Sequence, residues 1–178
     1  DWLEALARAG FGGLLADDMG LGKTVQTLAH IVSQKATNAV SPTAPVLILA
    51  PTSVLPNWQA EIARFAPDLS VLLRHGAGRH DDDKPIGEYD VVLTSYPLLV
   101  RDSDILAAEQ FSLAVFDEAH VLKNPRTGSH AAAKRLKAQR RIALTGTPVE
   151  NRLTDAWALF DLVVPGLLGS HRDFQRLY

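Results

Sequence analysis

Residues 17–24, Asp17-Asp18-Met19-Gly20-Leu21-Gly22-Lys23-Thr24, follow a short apolar stretch and open a segment with helical spacing. That is the context a phosphate-binding loop requires. Gly20 and Gly22 let the backbone curl, so that the successive N–H groups of Gly20, Leu21 and Gly22 turn toward phosphate oxygens. The positive end of a helix beginning near Lys23 lies behind them. Lys23 supplies an ammonium for the β- and γ-phosphates, and Thr24 offers a hydroxyl ligand to magnesium. The strict pattern asks for glycine five positions before Gly22, where this chain has Asp17. Without a ligand, the same residues read as a tight strand-to-helix turn.

A second run completes the chemistry. Leu113-Ala114-Val115-Phe116 is an apolar strand that ends in Asp117-Glu118-Ala119-His120. A buried strand delivering adjacent carboxylates at its C-terminal end is the other half of a nucleoside-triphosphate site. Asp117 is expected to hold magnesium, directly or through water. Glu118 is expected to orient and deprotonate an attacking water. The pair therefore predicts that residues 20–24 and residues 117 and 118 meet at neighbouring strand ends. His30, His75, His80, His120, His130 and His171 lack the spacing of a metal site, and no Gly-x-Ser-x-Gly elbow occurs.

Positioning these groups requires an α/β framework. Short β-branched apolar runs predict strands at 13–16, 46–50, 70–74, 91–94, 114–117 and 141–145. Several are continuously apolar, as expected when both faces of a parallel sheet are covered. Helical spacing predicts helices at 23–34, 55–65, near 104–110, 129–138 and 153–163. Thr52 or Ser53 is expected to cap the second helix and Ser129 the fourth. Loops are expected at 38–45, 76–87 and 124–128. Trp2, Trp58 and Trp157 read as core. Residues 1–9 look like the end of a helix, and 165–178 like the exit from a single domain.

Composition narrows the class. The chain has 178 residues, no cysteine and a formal net charge of −2. A disulfide framework and cysteine-ligated zinc are excluded. No apolar run approaches the ~18 residues of a membrane span, and nothing resembles a signal peptide, so an intracellular protein is expected in cytoplasm, nucleoid or nucleus. The near-neutral charge argues against binding nucleic acid by bulk positive charge. Yet residues 121–141 hold no acid and seven of the eighteen Lys and Arg: Lys123, Arg126, Lys134, Arg135, Lys137, Arg140 and Arg141. Two readings stay open, a solvated helix face and a phosphate-facing patch.

Laid out in order, these residues resemble the Swi/Snf-type (sucrose non-fermenting) ATPases of helicase superfamily two over nearly the whole chain. Residues 17–24 look like that family's first motif, including the non-glycine at position 17. Leu47-Ile48-Leu49-Ala50-Pro51-Thr52-Ser53-Val54-Leu55-Pro56-Asn57-Trp58 is similar to the next, and Val92-Leu93-Thr94-Ser95-Tyr96 to the one after. Asp117-Glu118-Ala119-His120 with Lys123 and Asn124 resembles the Walker B region. Leu144-Thr145-Gly146-Thr147-Pro148-Val149-Glu150-Asn151 resembles the third helicase motif.

The resemblance implies a three-layer P-loop NTPase (RecA-like) domain, with a mainly parallel central sheet flanked by helices. It implies one lobe of an ATP- and magnesium-dependent motor that translocates on double-stranded DNA, completed by a second RecA-like lobe bearing an arginine finger. Phosphodiester contacts are implied at Thr52, Ser53, Asn57, Thr94 and Ser95, with Lys123 and Asn124 as further candidates. Such contacts track phosphates, not sequence. Thr145, Gly146 and Thr147 are implied to couple the nucleotide site to DNA. Without the second lobe, the 178 residues are expected to bind nucleotide weakly and hydrolyse it negligibly. Two other readings are a non-catalytic docking module on the same fold, and a nucleotide kinase or GTPase. The second lacks any guanine-reading Asn-Lys-x-Asp sequence.

Overall fold

The computed structural model describes residues 2–17, 20–37, 43–76, 85–146 and 153–177. Its strands are β1 (Gly13–Leu15), β2 (Val46–Ala50), β3 (Val71–Arg74), β4 (Val91–Ser95), β5 (Gln110–Phe116) and β6 (Lys137–Leu144). They form a six-stranded sheet in the order β1-β6-β5-β2-β4-β3. Every pairing is parallel. The helices are α1 (Trp2–Arg8), α2 (Lys23–Ala36), α3 (Leu55–Phe65), α4 (Tyr96–Arg101), α5 (Ser103–Ala108), α6 (Gly128–Arg135), α7 (Leu153–Val163) and α8 (His171–Leu177).

The apolar strands work because successive side chains point to opposite faces, and both faces are covered. Leu47, Leu49, Val92, Ala114 and Phe116 pack on one side with Leu99 of α4, Ala133 of α6 and Leu159 of α7. Val46, Ile48, Val91, Leu93 and Val115 pack on the other with Leu28 and Ile31 of α2 and Trp58 of α3. The result is three layers, helix–sheet–helix. Among the described residues, no helix is long and apolar enough to cross a membrane.

Several local expectations are corrected. β5 and β6 start earlier than the apolar pattern suggests, and Ala138 belongs to β6, not to the preceding helix. Thr52 and Ser53 do not cap α3; they lie in a 3₁₀ turn, and the residue at the cap position is Val54. Ser129 lies inside α6, whose cap is Thr127, its hydroxyl accepting from His130 N–H. Trp2 is 48% exposed, not core, whereas Trp58 and Trp157 are buried. Residues 171–177 form α8, which packs Phe174 against Trp157. The loops read at 38–45 and 76–87 fall largely outside the described residues.

The basic stretch divides between the two ends of the sheet. Lys134 pairs with Asp161 at 2.6 Å, and Arg135 with Asp104 at 2.7 Å. Arg141 donates to the carbonyls of Leu136 and Leu162, and Arg140 to Gln34. Lys137, Arg140 and Arg141 sit at the start of β6, away from the strand ends that bear the phosphate loop. Lys134 and Arg135 thus join α6 to its neighbouring helices, and Arg140 and Arg141 join β6 to α2 and α7, so the stretch is not one phosphate-facing patch.

Candidate nucleotide site

The predicted groups gather at the C-terminal edge of the sheet, where parallel α/β folds bind ligands. β1 leads into residues 20–24, β5 into Asp117 and Glu118, β6 into Thr145 and Gly146, β2 into Thr52, Ser53 and Asn57, and β4 into its own terminal Thr94 and Ser95. One expectation changes in detail. The phosphate loop and the acidic pair do not leave adjacent strands, because β6 lies between β1 and β5. They nevertheless line one open cleft of 440 Å³, together with Asn57 and Glu61 of α3. Thr145 stands at the end of the intervening strand, buried, its N–H donating to Leu15 O at 3.1 Å.

The loop has the backbone that its glycines permit. Gly20 and Gly22 have φ of 86° and 74°, a region that disfavours side chains. Gly22 caps α2, and its carbonyl accepts from Gln26 N–H at 2.9 Å. Leu21 is 60% exposed at the tip. Lys23 points its ammonium at Asp17 O, 2.6 Å away. Thr24 is half-buried and faces the cleft.

Asp117 is held from several directions. Its N–H donates to Leu49 O at 2.7 Å, extending the β2–β5 ladder by one bond. Its backbone carbonyl accepts from the Tyr96 hydroxyl at 2.6 Å. Its Oδ2 accepts from the Trp58 indole N–H at 2.7 Å, and its Oδ1 from Glu118 N–H at 2.9 Å. Burial raises the pKa of this carboxyl, against the opposing pull of the two N–H donors. Burial also raises the Tyr96 pKa well above its ordinary value, reinforced by Asp117 and Glu118, so the phenol keeps the proton that it donates.

Glu118 has φ 48°, the one non-glycine residue with positive φ among those described. Such a conformation costs roughly 1–3 kcal/mol and persists only where its surroundings enforce it. Here it turns the chain sharply out of β5. Glu118 Oε2 lies 3.2 Å from His120 Nδ1. Among the described residues, no group of His, Asp and Glu forms a metal cage. The donor set still suits magnesium, which takes one or two carboxylates and completes its shell with water and phosphate. A carboxylate offers about four lone-pair sites, and the Trp58 and Glu118 donors occupy one on each oxygen. Asp117 therefore keeps acceptor capacity toward the cleft that Thr24 shares.

The remaining predicted residues differ in access. Thr52, Ser53 and Asn57 are exposed; Asn57 lines the cleft, and Thr52 and Ser53 lead into Val54, which lines it as well. Thr94 and Ser95 are each 1% exposed, and the Thr94 hydroxyl donates to Arg74 O. Lys123 is half-buried, 4.0 Å from Asp155. Asn124 is exposed, and its side chain accepts from Arg126 N–H. Gly146 is half-buried, and Thr147 lies outside the described residues. Sequence reasoning took Trp58 as plain core and gave Tyr96 no role. The available signal was that a buried indole or phenol needs a hydrogen-bond partner.

A parallel sheet with a glycine loop at the end of β1 and paired carboxylates beyond β5 defines a P-loop nucleotide-binding domain of RecA-like type. The fold comparison agrees. The Sulfolobus solfataricus SWI2/SNF2 ATPase core in complex with dsDNA superposes with a TM-score of 0.89 at 42% identity, covering 98% of this chain and 36% of that one. Residues 1–178 match the SNF2-related domain, and the chain belongs to that family. It is 46% identical over 181 residues to the putative ATP-dependent helicase/translocase YwqA of Bacillus subtilis, spanning all of this chain and 19% of that protein. It is 36% identical over 183 residues to the ATP-dependent DNA helicase DDM1 of Arabidopsis thaliana, spanning 98% of this chain and 24% of that protein. The chain thus spans a fifth to a quarter of these relatives.

Proposed function

We propose that this chain is the ATP-binding lobe of a DNA-dependent ATPase that translocates on double-stranded DNA. The reading rests on one observation above others: Lys23, Thr24, Asp117 and Glu118 line a single cleft, with the exposed residues Thr52, Ser53 and Asn57 on its rim. Backbone N–H groups of residues 20–24 and the Lys23 ammonium hold the β- and γ-phosphates. Thr24 and Asp117 hold magnesium, which when bound neutralises charge developing on the phosphate oxygens. Glu118 orients a water in line with the γ-phosphate and accepts its proton. ATP over other nucleotides, and DNA over RNA, are supported by the named activities of the relatives.

The rim residues carry the DNA side of the proposal. Thr52, Ser53 and Asn57 offer neutral donors to phosphodiester oxygens, and Lys123 and Asn124 lie on the same edge; Thr94 and Ser95 are buried there and would back these contacts, not make them. Contacts of this kind grip any sequence, as a translocating motor needs. Thr145 and Gly146 follow the strand between the phosphate loop and the acidic pair, a place suited to relaying one site's state to the other, and Thr147, next in sequence, is assigned to the same coupling. We assign residues 1–178 to a single lobe, with residues 165–178 leading toward a second RecA-like lobe that supplies an arginine. Such fingers contribute about 10³–10⁵ in turnover, so the 178 residues alone would bind nucleotide weakly and hydrolyse it negligibly. ATP hydrolysis by the full-length protein should rise when double-stranded DNA is added. Equal rates with and without DNA would contradict the reading.

A further inference from the structure

Trp58 is fully buried in α3, yet its one polar atom is spent on the site: the indole N–H donates to Asp117 Oδ2 at 2.7 Å across 59 positions of sequence. We propose that Trp58 is a positioning residue for the metal-binding carboxylate, setting the plane of Asp117 so that its free lone pairs face Thr24 and the phosphates. The inference rests on the assignment of Asp117 to magnesium made above.

The choice of donor matters. An indole donates but cannot accept, and it carries no charge. A lysine or arginine at the same place would orient the carboxylate but neutralise it, weakening its hold on a cation. Trp58 orients Asp117 and leaves its negative charge available. Glu118 N–H holds the other oxygen at 2.9 Å, so both ends of the carboxylate are fixed before any metal arrives. The indole is itself immobile: Trp58 is 0% exposed and packs within the apolar cluster that covers one face of the sheet. Outer partners that orient metal ligands in this way typically contribute 10–100-fold in metal affinity. Trp58 also follows Asn57 directly, so the helix turn that presents a rim residue also fixes the carboxylate.

The test is the magnesium concentration giving half-maximal nucleotide binding by the full-length protein, measured for wild type, Trp58→Phe and Asp117→Asn. Thermal melting is followed in parallel. Trp58→Phe should raise the magnesium requirement about tenfold while leaving metal-free nucleotide affinity unchanged. Should Trp58→Phe not fold, replacing Trp58 by 3-benzothienylalanine removes only the N–H, with sulfur in its place, and the same shift is expected. A purely structural Trp58 would lower the melting temperature and leave the magnesium requirement where it was, which would overturn the proposal. If Asp117→Asn shifts the requirement and neither Trp58 replacement does, positioning fails and the metal assignment stands. If Asp117→Asn has no effect, the assignment itself fails and the inference falls with it.

Discussion

The Nζ of Lys23 lies 2.6 Å from the carbonyl oxygen of Asp17, the residue that stands where a strict phosphate loop has its first glycine. The loop thus folds its own cation back onto its backbone, 6 residues upstream. A triphosphate would offer that ammonium a multiply charged acceptor. Hydrogen bonds to charged groups contribute about 1.5–3 kcal/mol. Lys23→Ala is therefore expected to weaken ATP binding by roughly 10–100-fold. Isothermal titration of the variant with ATP checks this, and unchanged affinity would take Lys23 out of the phosphate site.

Glu118 separates binding from chemistry. Its backbone is turned into the left-handed region at the end of β5, next to the carboxylate assigned to the metal. Glu118→Gln keeps the shape and removes the base. Nucleotide affinity should stay within about twofold, while hydrolysis by the full-length protein should fall by about 10²–10⁴-fold, the range of general-base contributions. Single-turnover hydrolysis at saturating ATP is the measurement. A rate equal to wild type would assign the base elsewhere.

Asp90 predicts a pH dependence of stability remote from the cleft. Its Oδ2 accepts from Lys35 Nζ, Ser70 N–H and the Ser70 hydroxyl, each at 2.8 Å, tying α2 to the edge of the sheet. Burial alone would raise its pKa; Lys35 and Ser70 outweigh that and hold it below the ordinary value. A carboxylate depressed on folding stabilises the protein above its unfolded pKa of about 4, and the contribution disappears as pH falls through the folded value. Asp90→Asn should lose about 2 kcal/mol at pH 7 and show a shallower decline between pH 5 and 3. Urea midpoints across that range decide it, and parallel acid limbs would refute the assignment.

Gly12 tests the seat of β1. A Cβ there would run into Val163 O and Arg141 O, both main-chain atoms that cannot swing aside. Gly12→Ala should destabilise by about 3 kcal/mol, seen as a lower melting temperature even without nucleotide. A neutral effect would mean that α7 and β6 are less tightly packed here than the structure shows.

The residues that share the cleft and most of the sheet could be read in the sequence because their signals are local. β2 is apolar throughout and β4 as far as Leu93 since both faces are covered, and α3 and α7 follow their apolar spacing to the residue. The start of β6 was hidden by Lys137, Gln139, Arg140 and Arg141. That half of the strand extends beyond its pairing with β1, which begins at Ile142, so it tolerates polar side chains. α4 was missed although Ser95 and Pro97 stand at its start, because its 6 residues are too few for helical spacing to show after an apolar strand. The bond from Trp58 to Asp117 was not legible either. It depends on how α3 packs against the sheet, which no pattern along the chain records.

The most direct test of the central claim is a structure of the full-length protein with magnesium and a non-hydrolysable ATP analogue. The triphosphate should lie against residues 20–24, with the metal between the Thr24 hydroxyl and the Asp117 carboxylate and with Glu118 facing the γ-phosphate. A triphosphate bound elsewhere, or bound there with the metal out of reach of Asp117, would contradict the account.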